Sequence, residues 1–163
     1  MGNITGTDKE FKRLRDRVKD LRVQQINDTK TAMRLVLEEF IKRTPVYTGN
    51  VLRNYTFSIG HPDNTVKDEI KSPLTGFEGT NAMPLGEGAE PRFAANAAAA
   101  RRDLESVLAG LIDQSDVVMT NNSPDFHAVD AGIFPGAPFK TRNPGGITLL
   151  ALQSVRTKLR NWK

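Results

Sequence analysis

The sequence predicts an α+β fold in which long helices surround a small antiparallel β-sheet. Three observations carry this prediction. Apolar residues recur at helical spacing in three separate regions, two short regions have the composition of strands, and the two kinds of pattern alternate along the chain. A length of 163 residues is typical of one domain, and we therefore expect residues 1–163 to fold as a single unit.

The N-terminal region is predicted to be a long helix over residues 8–43, or two nearly collinear helices with a kink at the polar residues 24–29. Thr7 and Glu10 fit a capping box at its start. A narrow apolar stripe then follows at spacings of 3, 4 and 3, and it consists of Phe11, Leu14, Val18 and Leu21. Because charged residues flank this stripe closely, we expect it to pack on a neighbouring subunit instead of its own core.

Two strands and two irregular regions are predicted next. Tyr55–Ile59 alternates aromatic and polar residues, and Val117–Met119 is a short apolar run before two asparagines. Thr48 and Gly49 are interpreted as a structural turn between helix and strand, with a positive φ at Gly49. Residues 61–92 are rich in proline and glycine, which is typical of a long functional or mobile loop.

The C-terminal half is predicted to contain an alanine-rich helix over residues 94–112 and a last helix over residues 147–162. Between them, residues 132–146 hold four glycines and three prolines, together with apolar and basic side chains at Ile133, Phe134, Phe139, Lys140 and Arg142. Ile133, Phe134 and Phe139 are too apolar for a loop that faces only solvent, and the two basic residues add positive charge for acidic residues of the next subunit. We therefore expect a contact between subunits or rings. The alternative is that the two phenylalanines fold back onto the subunit's own core.

The composition argues against most enzyme classes. The chain has no cysteine, which excludes disulfides and thiolate chemistry, and it has only two histidines. Asp125, His127 and Asp130 are the best candidate set for a metal or a general base, but we favour structural roles: Asp125 capping a short helix and Asp130 meeting a basic group. Phosphate-binding loops and nucleophile elbows are missing. We expect no catalysis, no cofactor and no metal, in a soluble intracellular chain without a membrane span.

Charge is distributed unevenly along the chain. Residues 93–132 carry two basic and six acidic groups, whereas residues 133–163 carry six basic groups and no acidic ones. This asymmetry favours contact between unlike surfaces of neighbouring copies. Basic residues in the first helix suggest nucleic-acid binding instead, although Asp16 and Asp20 interrupt them; they are Arg13, Arg15, Arg17, Lys19 and Arg22. A small nucleic-acid-binding accessory protein is therefore the alternative function, and a hydrolase comes third.

Three stretches, in the same order, resemble conserved segments of the neck and tail-completion proteins of tailed phages. The first is Thr44-Pro45-Val46-Tyr47-Thr48-Gly49 followed by residues 53–60, and the second is residues 118–124 followed by Phe126, Asp130 and Gly132. The third is Asn143-Pro144-Gly145-Gly146-Ile147-Thr148, where the last helix begins. Together they cover about a third of the chain, with one helix before them and one after.

The resemblance implies a structural protein of the virion, located at the head–tail joint and assembled in the host cytoplasm. It implies a homo-oligomeric ring, commonly a hexamer, that contacts neck or connector proteins on one side and tail-tube or tail-terminator proteins on the other. Phage double-stranded DNA would pass through the lumen without being read, and no membrane is involved. Phe126 and Asp130 join the candidate interface through this resemblance.

Overall fold

A computed structural model describes residues 5–44, 49–70, 89–132 and 146–161. The described chain is α+β, as predicted, and its helices surround one antiparallel pair of strands. The elements are, in chain order, helix α1 (Thr5–Arg43), helix α2 (Gly49–Arg53), strand β1 (Tyr55–Ile59), helix α3 (Ala89–Ala109), strand β2 (Val117–Asn121), helix α4 (Phe126–Asp130) and helix α5 (Ile147–Arg160).

Helix α1 is uninterrupted over 39 residues, including the polar stretch where a kink was expected. The hydroxyl of Thr29 donates to the carbonyl of Gln25, and that of Thr31 to the carbonyl of Asn27, both at 2.9 Å. These polar side chains are therefore satisfied within the helix instead of competing with it. The helix begins at Thr5, so Thr7 and Glu10 of the predicted capping box lie within its first two turns.

The two strands pair antiparallel, with Tyr55 opposite Asn121 and Ile59 opposite Val117. Alternation along β1 sends Tyr55 and Phe57 into the hydrophobic core. Thr56 points to the other face, is fully buried, and donates its hydroxyl to the carbonyl of Asp63 at 2.8 Å. The segment after β1 thus covers the second face of the sheet.

The core lies where the C-terminal half of α1 packs on α5 and α3, while α2 and β1 pack on α3. Tyr55 is at its centre: its ring meets Phe40 edge to face at 5.6 Å, and its hydroxyl lies 3.2 Å from that of Thr44. Burial holds the pKa of Tyr55 well above its usual range. Small side chains on α3, Ala97 and Ala100, let this helix approach the sheet closely.

The loops differ from the sequence predictions in two respects. The irregular region 61–92 ends earlier than predicted, because α3 begins at Ala89; residues 61–70 have no helix or strand, and residues 71–88 are outside the described part. Gly49 is buried as the first residue of α2, whereas the positive φ values found at described glycines belong to Gly60, Gly132 and Gly146. Thr48 is outside the described residues.

Candidate assembly surfaces

The first half of α1 stands away from the rest of the described chain. Residues 8–25, which we call the arm, are all exposed, and Ile26 is the first residue after them that is partly buried. Eighteen residues at a rise of 1.5 Å make the arm about 27 Å long. Its base is fixed where the side-chain amide of Gln114 donates to the side-chain oxygen of Gln25 at 2.7 Å.

The predicted apolar stripe lies on this arm. The exposed fraction is 59% for Phe11, 58% for Leu14, 47% for Val18 and 54% for Leu21. The stripe therefore lies outside the core, in agreement with the expectation from the sequence. Four large apolar side chains in water along one helix face are typical of an interaction surface.

A groove opens at the base of the arm, between α1 and the loop that follows α3. It has a volume of about 460 Å³ and is lined by Arg22, Ile26 and the residues 112–115. Ile112 is the most exposed large apolar residue described, at 84%. The carboxylate of Asp113 accepts the backbone N–H of Ser115 at 3.0 Å, and hydrogen bonding to Ser115 holds the pKa of Asp113 below its usual range. The loop side of the groove is therefore apolar and negatively charged, whereas Arg22 supplies a positive charge from the α1 side.

Two predicted interface residues have structural partners within the chain. Phe126 is half-buried against the core, and its ring meets that of Tyr55 edge to face at 6.2 Å. The carboxylate of Asp130 accepts the backbone N–H of Thr148 at 2.7 Å, and its carbonyl accepts that of Gly146 at 2.6 Å. Asp130 thus caps the N-terminus of α5, and among the described residues it meets this backbone instead of the basic group that we expected.

The candidate metal set does not converge. Asp125 stands at the N-cap of α4 but makes no side-chain cap bond, so its predicted capping role is wrong; it accepts from the side-chain amide of Asn50 at 3.3 Å. His127 is exposed and its ring lies 6.2 Å from that of Phe126. Within the described ranges, no group of three or more histidines and acids has the geometry of a metal site.

The other predicted contact residues, Ile133, Phe134, Phe139, Lys140 and Arg142, lie outside the described residues. Their role between subunits, and the alternative in which the phenylalanines join the core, stay predictions.

Sequence analysis missed a network of asparagines that fixes residues 61–70. Asn54 is fully buried; its amide N–H donates to the carbonyl of Lys67 at 3.0 Å and its oxygen accepts the N–H of Lys67 at 2.8 Å. Asn96 holds both backbone groups of Ile70 in the same way, at 2.9 and 3.0 Å. Asn122 donates to the carbonyl of Asp63 at 2.7 Å. The signal in the sequence was the asparagines that flank the two predicted strands, Asn54 before Tyr55–Ile59 and Asn122 after Val117–Met119, to which we had assigned no partner.

Ion pairs connect the helices around the core. Glu39 of α1 is 3% exposed and accepts a hydrogen bond from Lys158 of α5, which together with nearby cations lowers its pKa to about 2. Asp103 of α3 accepts from Arg53 at 2.6 Å and from Lys67 at 2.7 Å. Burial opposes the charge of Asp103, but the two hydrogen bonds outweigh it and hold the pKa below its usual range. These pairs position helices and make no pocket for a substrate.

Among the described helices, none is both long enough and apolar enough to cross a membrane. Comparison of the chain with protein-family models, with curated proteins and with solved structures finds no match.

Proposed function

We propose that this chain is a structural protein of a tailed-phage virion, which forms a ring at the head–tail joint and acts by contact instead of catalysis. The observation that carries the proposal is the arrangement of the three stretches that resemble neck and tail-completion proteins. The described residues of these stretches are far apart in sequence and adjacent in the fold.

The first and second stretches meet as the β1–β2 pair. Beyond the strands, the N–H of Asn122 donates to the carbonyl of Asn54 at 3.1 Å, which extends the contact between the two stretches. Asp130 of the second stretch caps α5 at Thr148, the last residue of the third. The described residues of the three stretches therefore form one packed unit, which is the arrangement expected of segments that act together.

The surface also suits a ring. A head-to-tail ring needs two different, complementary surfaces on each subunit. The described chain offers a basic arm with an apolar stripe and, at the base of the arm, a groove whose loop side carries Ile112 and Asp113. In this proposal the copies form a homo-oligomer, commonly a hexamer in the family, between connector and tail proteins, and double-stranded DNA passes through its lumen.

The proposal is tested in a phage that encodes this chain. A nonsense codon in its gene should yield DNA-filled heads and separate tails in electron micrographs, and a plasmid copy of the gene should restore joined particles. Mass spectrometry of purified wild-type virions should detect the chain. Complete infectious particles that lack the chain would contradict the proposal.

The alternative, a nucleic-acid-binding accessory protein, is favoured by the seven lysines and arginines exposed on the arm, which four acidic residues interrupt. If the chain only surrounds DNA, its affinity should be weak, independent of sequence and lost as salt rises. Gel-shift titrations with two unrelated duplexes at low and physiological salt separate the two functions. Sequence-selective binding that persists at physiological salt would favour the alternative.

A further inference from the structure

We propose that the arm of each copy docks in the groove of the next copy, so that the stripe of one subunit covers Ile112 of its neighbour. The occupant of the groove is thus a second copy of this chain, bound head to tail. This inference rests on the self-assembly in the proposed function and names the surfaces that would produce it.

The first argument is apolar complementarity. The four stripe residues are about half exposed, and Ile112 is almost fully exposed beside the groove. Two surfaces on one chain that both leave large apolar side chains in water gain free energy by covering each other. A groove of about 460 Å³ at the base of a helix has room for the side chains of a second helix.

The second argument is charge. The arm carries seven basic and four acidic residues. Arg15, Lys19 and Arg22 follow the stripe residues Phe11, Leu14 and Val18 by four or five positions, so they lie along one edge of the stripe. The loop at the groove carries Asp113 and Asp116, both exposed. The basic edge of the stripe is complementary to this acidic loop, and Arg22 of the receiving copy lies on the α1 side of the groove.

Charge also argues against the simplest other partner for the stripe, which is the stripe of a second arm. Two arms packed stripe to stripe would bring their basic residues together, whereas the groove offers carboxylates. The length of the arm also suits the proposed contact, because about 27 Å is roughly the diameter of a small domain. An arm can therefore cross from its own body onto the next.

The contact is tested by sedimentation of full-length purified variants. The stripe variant is Leu14→Ser with Val18→Ser, and the groove variant is Ile112→Arg. Each should weaken self-association on the order of 100-fold, because each removes buried apolar area and the arginine also repels the basic arm. The matched controls are Val23→Ser, which lies on the opposite side of the arm and is 52% exposed, and Val66→Arg, which is 65% exposed on the body. The controls should sediment as wild type.

Mixing the two defective variants gives the decisive result. The stripe variant keeps an intact groove and the groove variant keeps an intact stripe, so the mixture should form a one-to-one complex that neither forms alone. If the groove variant still self-associates, or if the mixture stays monomeric, the head-to-tail contact is wrong. Full self-association of the stripe variant would overturn this contact and leave the proposed ring standing. Wild-type protein that is monomeric at every concentration would overturn both.

Discussion

Buried polar side chains fix the position of residues 61–70, which form neither helix nor strand. The side chain of Asn54 makes four hydrogen bonds, two with the backbone groups of Lys67 and two with Asn50. An asparagine amide offers a donor and an acceptor in the same geometry as a peptide group. The Asn54 amide therefore pairs with the backbone of Lys67 as a neighbouring strand would, in a segment (residues 61–70) that is not part of the sheet.

Asn54→Ala should lower the free energy of unfolding by about 2–3 kcal/mol, because the backbone N–H and carbonyl of Lys67 lose their partners next to the core. Urea denaturation measures this loss, and limited proteolysis should show faster cleavage within residues 61–70. Asn64→Ala, at an exposed position of the same segment, is the control and should change stability by less than about 0.5 kcal/mol. Equal stability of the two variants would show that the network contributes little.

The buried carboxylate of Glu39 should make stability depend on pH. Its pKa of about 2 in the folded chain lies below the ordinary value of 4.5, so its ion pair stabilises the fold above about pH 4.5 and is lost as the pH falls towards 2. The stability difference between wild type and Glu39→Gln should therefore shrink by about 2–3 kcal/mol between about pH 6 and about pH 2.5.

Thermal or urea unfolding at both pH values measures this change. Parallel stability curves for wild type and Glu39→Gln would mean that Lys158 does not hold the carboxylate in its ionised form.

At the scale of elements, helix α5 depends on a cap that comes from another helix. Its own N-cap residue is Gly146, which has a φ of +73° and no side chain to offer. Asp130, at the end of α4, supplies the missing acceptor to Thr148. Its negative charge also faces the positive end of the α5 dipole.

Asp130→Ala should therefore cost about 1 kcal/mol of stability, the usual loss for an N-cap. Asp125→Ala is the matched control: it removes an aspartate five residues away that caps no helix by its side chain, and it should have a smaller effect. Urea denaturation of both variants compares them. A larger loss for Asp125→Ala would contradict the assignment of Asp130 as the cap.

The elements themselves could be predicted from the sequence because periodicity is local. The strand Tyr55–Ile59 has the predicted bounds, and α1 and α5 differ from their predicted bounds by a few residues at one end. The partners of Asp130 and Asn54 could not be predicted, since each bond joins residues 13 to 18 positions apart that only the fold brings together. For the same reason Phe126, which looked like an interface residue, packs on a tyrosine far away in sequence.

At the scale of the whole molecule, the described residues form a packed body from which the N-terminal half of α1 projects. The body has a buried core, ion pairs between its helices and a covered sheet, while the arm has an apolar face that the described body does not cover. Most helical stability in proteins comes from the packing of an apolar face. The proposed contact would supply that packing to the arm.

The central claim, that this chain works by assembling with copies of itself, is tested most directly by native mass spectrometry of the full-length protein over a range of concentrations. The account predicts a closed oligomer whose mass is a multiple of 18.0 kDa, with six copies as the expected number, and which gives way to monomer when Leu14 and Val18 are replaced by serine. A single species of 18.0 kDa at every concentration would contradict it.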